Sequence, residues 1–158
     1  MANRLIVAGM KLLYAVEAVA GTMPTAMSAF TPIPEVTGAP NMFPEPNTED
    51  VTPIDETSMV QYVDLLRDFG GSLPFPCNWN DAVATAWAGA ISAYATGIAA
   101  DKATWWCIYH PSLSKAVYFK GKPIESGFGE LSANTALKGE LRIVPEGGWT
   151  YTTAPSTS

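Results

Sequence analysis

Histidine occurs once in these 158 residues and cysteine twice. Cys77 and Cys107 lie thirty positions apart with only His110 to join them, so no zinc-ligand spacing exists. Two cysteines are too few for a disulfide scaffold. They read as two small buried thiols, with a single disulfide as the alternative. No phosphate-binding glycine loop and no Gly-x-Ser-x-Gly elbow is present. His110 sits in an aromatic stretch just before Pro111. A catalytic base needs a nucleophile or an orienting partner nearby, and the sequence marks neither. No catalytic, cofactor-binding or metal-ligating residue is therefore assigned.

Charge is scarce as well. Charged residues make up 15% of the chain against a usual share of about 25%. Hydrophobic residues make up 47%, which excludes a disordered chain. Basic charge is scarcest: nine bases against fifteen acids leave a net −6. A duplex-binding protein, which neutralises phosphates, shows the opposite balance. A secretory signal needs an unbroken apolar core, and Lys11 and Glu17 interrupt the N-terminal one. The length suits one domain, 1–158, with a real hydrophobic core.

The acidic excess is local. Leu12–Leu66 holds eight acids and no base, whereas residues 67–158 hold seven of each. Seven of the thirteen prolines fall between Pro24 and Pro53. Proline removes a ladder donor, so residues 22–58 read as an extended arm, a long loop or a hairpin. Its doublets, Glu49-Asp50 and Asp55-Glu56, follow no EF-hand spacing and read as solvated charge.

Around this arm the chain reads mostly as strands. Lys11–Glu17 alternates as a half-buried strand, with Leu12, Tyr14 and Val16 on one face. Ser58–Phe69 reads as a short helix or bent strand, closed by Gly70-Gly71. Leu73–Trp79 reads as an edge strand with prolines outward. Ala103–His110 is apolar on both faces and should be covered on both. Further strands are expected over Lys115–Lys120, Ile124–Leu131, Thr135–Val144 and Trp149–Thr152, with turns at Gly121–Pro123 and Gly147-Gly148. In Thr135–Val144, Leu137, Leu141 and Ile143 are expected to point inward. Residues 154–158 are expected to be a disordered tail.

Residues 81–100 form the one expected helix, capped by Asn80 or Asp81. Ala82–Ala100 is uncharged for nineteen residues, which is membrane-spanning length. Its large residues, Val83, Trp87, Ile91, Tyr94 and Ile98, nevertheless make one stripe at helical spacing, which fits a packed helix and not a span. The opposite face is Thr85, Ala88, Gly89, Ser92, Ala95 and Thr96, small residues where a solvated helix would carry Lys and Glu. That face is a candidate subunit interface. The sum is a mainly β, antiparallel chain with one flanking α-helix.

The order of these features resembles the tail tube proteins, or major tail proteins, of phages with long non-contractile tails. Met10-Lys-Leu-Leu-Tyr resembles the family's first strand. Ile33-Pro-Glu-Val-Thr-Gly-Ala-Pro and Asp50-Val-Thr-Pro-Ile-Asp resemble its early motif. Tyr62-Val-Asp-Leu-Leu-Arg-Asp-Phe-Gly-Gly, Phe128-Gly-Glu and Ile143-Val-Pro-Glu-Gly follow in the family's order. The resemblance spans about residues 10–152. It implies an antiparallel β-sandwich or barrel flanked by a helix, with no enzymatic activity and no cofactor. It implies hexameric rings stacked into a tube, a virion protein assembled in the host bacterial cytoplasm. It implies partners: further copies of itself, a tape-measure protein, a tail terminator and baseplate proteins. DNA would pass through the lumen without specific binding, and no membrane is involved. Glu45, Glu49, Asp50, Asp55 and Glu56 are then candidate lumen or ring-stacking acids. The alternative is a secreted, monomeric β-sandwich module that binds carbohydrate through exposed tryptophans.

Overall fold

A computed structural model describes residues 9–43, 45–67, 71–127 and 132–156, without the side chains of 66 and 67. The elements in chain order are β1 (Lys11–Val16), a 3-10 turn (Met27–Ala29), β2 (Thr31–Ile33), β3 (Pro46–Asp50) and β4 (Tyr62–Arg67), then β5 (Leu73–Asn78), α1 (Asp81–Ala99), β6 (Thr104–Tyr109), β7 (Lys115–Ile124) and β8 (Lys138–Thr153). The chain is mainly β, with an antiparallel sheet that curls into half a barrel beside one helix. Six strands form that sheet in the order β2-β1-β6-β7-β8-β5. Among the described residues, strands β3 and β4 pair only with each other.

Two apolar layers hold the sheet. On one face, Val83, Trp87 and Ala90 of α1 press on Leu12, Trp106, Phe119, Leu141, Ile143 and Phe75. Trp87 and Trp106 are nearly inaccessible, and each satisfies its indole N–H on a backbone carbonyl, Ile124 and Gly121 respectively. On the other face, Leu13, Ala15, Cys107, Ala116 and Tyr118 are covered by Met23, Met27 and Phe30. Strand β1 is thus buried on both faces and not half-buried: the segment after it folds back over the side that alternation left open. Strand β6 is covered on both faces, as its apolar composition requires. Both cysteines are free and buried, and burial pushes the Cys107 thiol up to about 12.

Helix α1 begins where expected. The Asn80 side chain accepts from the Val83 N–H, and Asp81 sits in the first turn. It ends with Asp101 at φ 59, while the Asp101 and Lys102 N–H groups donate to Ile98 and Gly97 carbonyls, a Schellman closure. The last turn lies tight against β1: a Cβ on Gly97 would stand 2.8 Å from Val16 Cγ1.

Three turn or tail expectations give way. Gly121–Pro123 is no turn, because β7 continues to Ile124. Gly147-Gly148 does not end a strand either. Phe119 pairs with Trp149 and Gly121 with Pro145, so Glu146, Gly147 and Gly148 stand against Lys120 alone. The glycine pair absorbs a bulge within a continuous sixteen-residue β8. Ala154–Ser156 is not disordered. The Ser156 N–H donates to Thr25, the Ser156 carbonyl accepts from Met27, and Pro155 is buried. Leu137, expected inward, is exposed, since β8 begins only at Lys138. Residues 1–8, Phe128-Gly-Glu with Leu131, Phe69-Gly70 and the last two tail residues lie outside the described residues.

Candidate assembly surfaces

The arm leaves the body at a firm root. Met42 is buried in the main core, and Phe43 meets Trp149 and Tyr151 edge-on, with ring centroids 5.7 Å apart in both pairs. Beyond Glu45 the chain enters the β3–β4 hairpin, with Thr48 opposite Asp64, Glu49 opposite Val63 and Asp50 opposite Tyr62. Of the alternatives for Ser58–Phe69, the described residues show the strand, over Tyr62–Arg67. Cross-strand partners share a face. Glu49, Val63 and Leu65 lie on one side, and Thr48, Asp50, Tyr62 and Asp64 on the other. Both sides are open: Val51, Ile54, Met59, Val60, Tyr62, Val63 and Leu65 are all exposed, Ile54 fully.

The five acids predicted for this region fall into two groups. Asp50 accepts from the Thr52 N–H, and Glu56 accepts from the Ser58 N–H and hydroxyl and from Gln61. The Ser58 hydrogen bonds hold the Glu56 carboxyl down at about 2. These two organise the hairpin loop. Glu45 and Asp55 are exposed, as is Glu49, and none takes a hydrogen-bond partner among the described residues. All five lie along one arm.

The helix offers a second surface. Thr85, Ala88, Gly89, Ser92, Ala95 and Thr96 are all exposed, although Gly89 lies beside the Tyr14 hydroxyl and Ser92 and Thr96 border a cleft with Val16 and Glu17. The apolar stripe is only partly interior: Val83 and Trp87 are buried, Ile91 and Tyr94 half-buried and Ile98 exposed. The helix is long and apolar enough to cross a membrane by length and composition, and 22% of it is buried in the body, at Val83, Trp87, Ala90 and Gly97. Tyr94 donates to Glu146 at 2.7 Å and ties the helix to the β8 bulge. That bond pushes the phenol up to about 12.

One determinant was invisible to strand alternation. Glu17, just past β1, is 4% exposed, although it reads as a solvated strand residue. Its carboxylate accepts from the Ala103 N–H at 2.8 Å, the Trp105 indole at 2.9 Å and the Gly21 N–H at 3.2 Å. Burial raises its pKa, but the Trp105, Ala103 and Gly21 bonds and the Lys120 charge outweigh this and hold it below the ordinary range. The carboxylate joins the end of β1, the connection leaving α1, and β6. It thereby fixes the height of the helix C-terminus over the sheet.

Among the described residues no three His, Cys, Asp or Glu side chains gather as a metal site. His110 is buried, and its Nδ1 accepts from the Ser112 N–H in a turn. None of the five tryptophans is exposed: Trp87 and Trp106 are buried, and Trp79, Trp105 and Trp149 are half-buried.

No family model matches the chain, and no curated protein matches its sequence. Its fold is nevertheless shared. It is similar to a chain in the 6-fold symmetrised baseplate of the anti-feeding prophage, with a TM-score of 0.59 and 10% identity over 97% of this chain and 98% of that one. It is also similar to a chain in the virion of a native gene transfer agent particle, with a TM-score of 0.51 and 15% identity over 90% of this chain and 95% of that one. At these identities the likeness is one of fold, and it runs nearly end to end in both.

Proposed function

We propose that this chain is a structural, non-enzymatic virion subunit that self-assembles into hexameric rings, stacked as a phage tail tube. The tube is a passive conduit for DNA ejection. The observation that carries the reading is the β3–β4 hairpin, which presents seven large exposed apolar side chains beside a body whose own core is complete. An isolated two-stranded hairpin is marginal in water, so its order calls for a covering surface. The nearly full-length likeness to chains of two phage-derived particles supports the same conclusion.

The physics of a conduit is compatible with this sequence. Sheets joined between subunits remove exposed edges. An acidic or neutral wall does not accumulate attraction over many phosphates, so DNA slides. The small-residue face of α1 would sit against a neighbour, and the acids of the arm would face the lumen or the contact between rings. The further partners are a tape-measure protein, a terminator and baseplate proteins, met during assembly in the host bacterial cytoplasm. The monomeric carbohydrate-binding alternative has less support, since two of the five tryptophans are buried and the other three half-buried.

Sedimentation velocity and negative-stain microscopy of the purified chain test the reading. Rings or tubes are expected. A monomer at every concentration up to the solubility limit overturns it. Charge neutralisation at Glu45, Glu49 and Asp55 is expected to change stacking or ejection, and normal tubes with normal infectivity would reduce those acids to solvation.

A further inference from the structure

The self-assembly reading leaves open where the hairpin goes, and one surface of the body answers to it. Most of the sheet is covered: the helix lies on one face, and the segment through Met23–Phe30 covers β1 and β6 on the other. Among the described residues, the outer face of β5, β8 and the end of β7 is left open except along β5, where Gly38 lies close to Pro76 and Glu35 accepts from Asn78. Register defines it, because paired residues share a face. Pro74 pairs with Arg142 and Arg142 with Ile124, while Pro76 pairs with Glu140, Asn78 with Lys138 and Val144 with Lys122. Leu73, Phe75, Leu141 and Ile143 alternate with these and are buried beneath. The open face is thus a β-surface with Pro74, Pro76, Ile124 and Val144 at its centre and three cations around them.

Its charge is opposite to that of the arm. Lys122, Lys138 and Arg142 stand against two acids: Glu140, which is already held by Arg142 at 2.6 Å, and Glu35, which accepts from Asn78 at 3.3 Å. Lys122 and Lys138 are exposed and carry no hydrogen bond or ion pair among the described residues. The hairpin offers the converse: exposed Val51, Val63 and Leu65, with Glu45, Glu49 and Asp55 unpartnered.

We propose that the hairpin of one copy seats on the open β5–β8–β7 face of a second copy, with its free acids against Lys122 and Lys138. The occupant is a second copy because no described side chain of the hairpin is buried against its own body beyond the root, whereas the two surfaces complement each other in apolar character and in sign. Two twisted antiparallel surfaces pack face to face about 10 Å apart, which a hairpin can satisfy. Where the same two copies do not reciprocate it, such a contact is heterologous and propagates into a closed ring or a stack, whereas a reciprocal exchange would close as a dimer. This inference rests on the self-assembly reading above.

Charge reversal in two places tests it. Glu49→Lys with Asp55→Lys reverses the hairpin, and Lys122→Glu with Lys138→Glu reverses the seat. All four side chains are exposed, and circular dichroism and the melting curve of each variant confirm the fold. Each one-sided variant alone is expected to lose assembly at least tenfold in sedimentation velocity, because like charges then face each other. An equimolar mixture of the two variants is expected to recover it, since each hairpin then finds a seat of opposite sign. High salt is expected to weaken wild-type assembly in the same direction. One-sided variants that assemble like wild type, or a mixture that stays unassembled, overturn the seat while leaving the tube reading intact. A wild-type chain that never assembles overturns both.

Discussion

Strands β7 and β4 lie in the same chain under opposite conditions. In β7, Ala116, Val117, Tyr118 and Phe119 are buried in succession, because the helix side and the Met23–Phe30 segment each cover one face. In β4, Tyr62, Val63 and Leu65 are equally apolar and all exposed. Residue type does not distinguish these strands, but what lies above them does. The body closes its own core, whereas the hairpin is a β-element whose second layer is missing from the monomer. On the proposed reading, a chain arranged so settles its tertiary structure within one copy and leaves part of its hydrophobic burial to association.

The largest test of that contrast is a core truncation in the body. Trp106→Ala removes a fully buried indole, leaves the Gly121 carbonyl without its donor and opens a cavity beside Trp87. A loss of about 3–5 kcal/mol is expected in urea unfolding. Leu65→Ala in the hairpin is expected to change the unassembled chain by no more than about 0.5 kcal/mol. A comparable loss at both positions would show that the hairpin is packed after all.

Next in size is the Glu17 clamp. Glu17→Ala strands the Ala103, Gly21 and Trp105 donors, at about 1–3 kcal/mol for a buried group left unpaired. Its pH dependence follows from a folded-state pKa held below the ordinary 4.5. The carboxylate stabilises the fold fully above the unfolded value and progressively less as pH falls through the folded one. Between about pH 5 and pH 3, wild type is expected to lose more stability than Glu17→Gln. Parallel pH profiles would remove Glu17 from the account.

Hydrogen exchange gives a smaller but more local reading. In the unassembled chain, amides of β3 and β4 are expected to exchange with little protection, and those of β6 and β7 at rates set by global unfolding. Assembly should slow the hairpin and leave the body unchanged. Hairpin amides as protected as those of β6 before assembly would break the comparison.

Much of this architecture was legible in the sequence because it rests on local chemistry. The cap at Asn80, the stripe through Val83 and Trp87, the edge prolines of β5 and the doubly apolar β6 each declare themselves by spacing or residue type. Long-range covering does not declare itself. Alternation left Ala15 and Glu17 on a wet face, and only the returning segment and the Ala103–Trp105 donors bury them. Gly147-Gly148 reads as a turn by composition, and the partner register at Phe119 and Gly121 makes it a bulge. Of the predicted assembly residues, the six on the helix are all exposed. The acids divided into loop-formers, Asp50 and Glu56, and free charges, a distinction made by Thr52, Ser58 and Gln61.

The smallest expected change in stability concerns the helix, which belongs to the body on one side and resembles the hairpin on the other. Ala90 is fully buried against the sheet, while Ala88 and Ala95 are exposed on the small-residue face. Glutamate forms helix well, so Ala88→Glu and Ala95→Glu are expected to leave the unassembled chain within about 0.5 kcal/mol of wild type. Ala90→Glu buries an unpaired carboxylate and is expected to unfold it. If Ala88 and Ala95 lie in a subunit contact, their glutamate variants remain folded monomers by circular dichroism and fail to form rings. Normal rings from both variants would make the small residues a bare solvent face and leave the hairpin as the surface awaiting a partner.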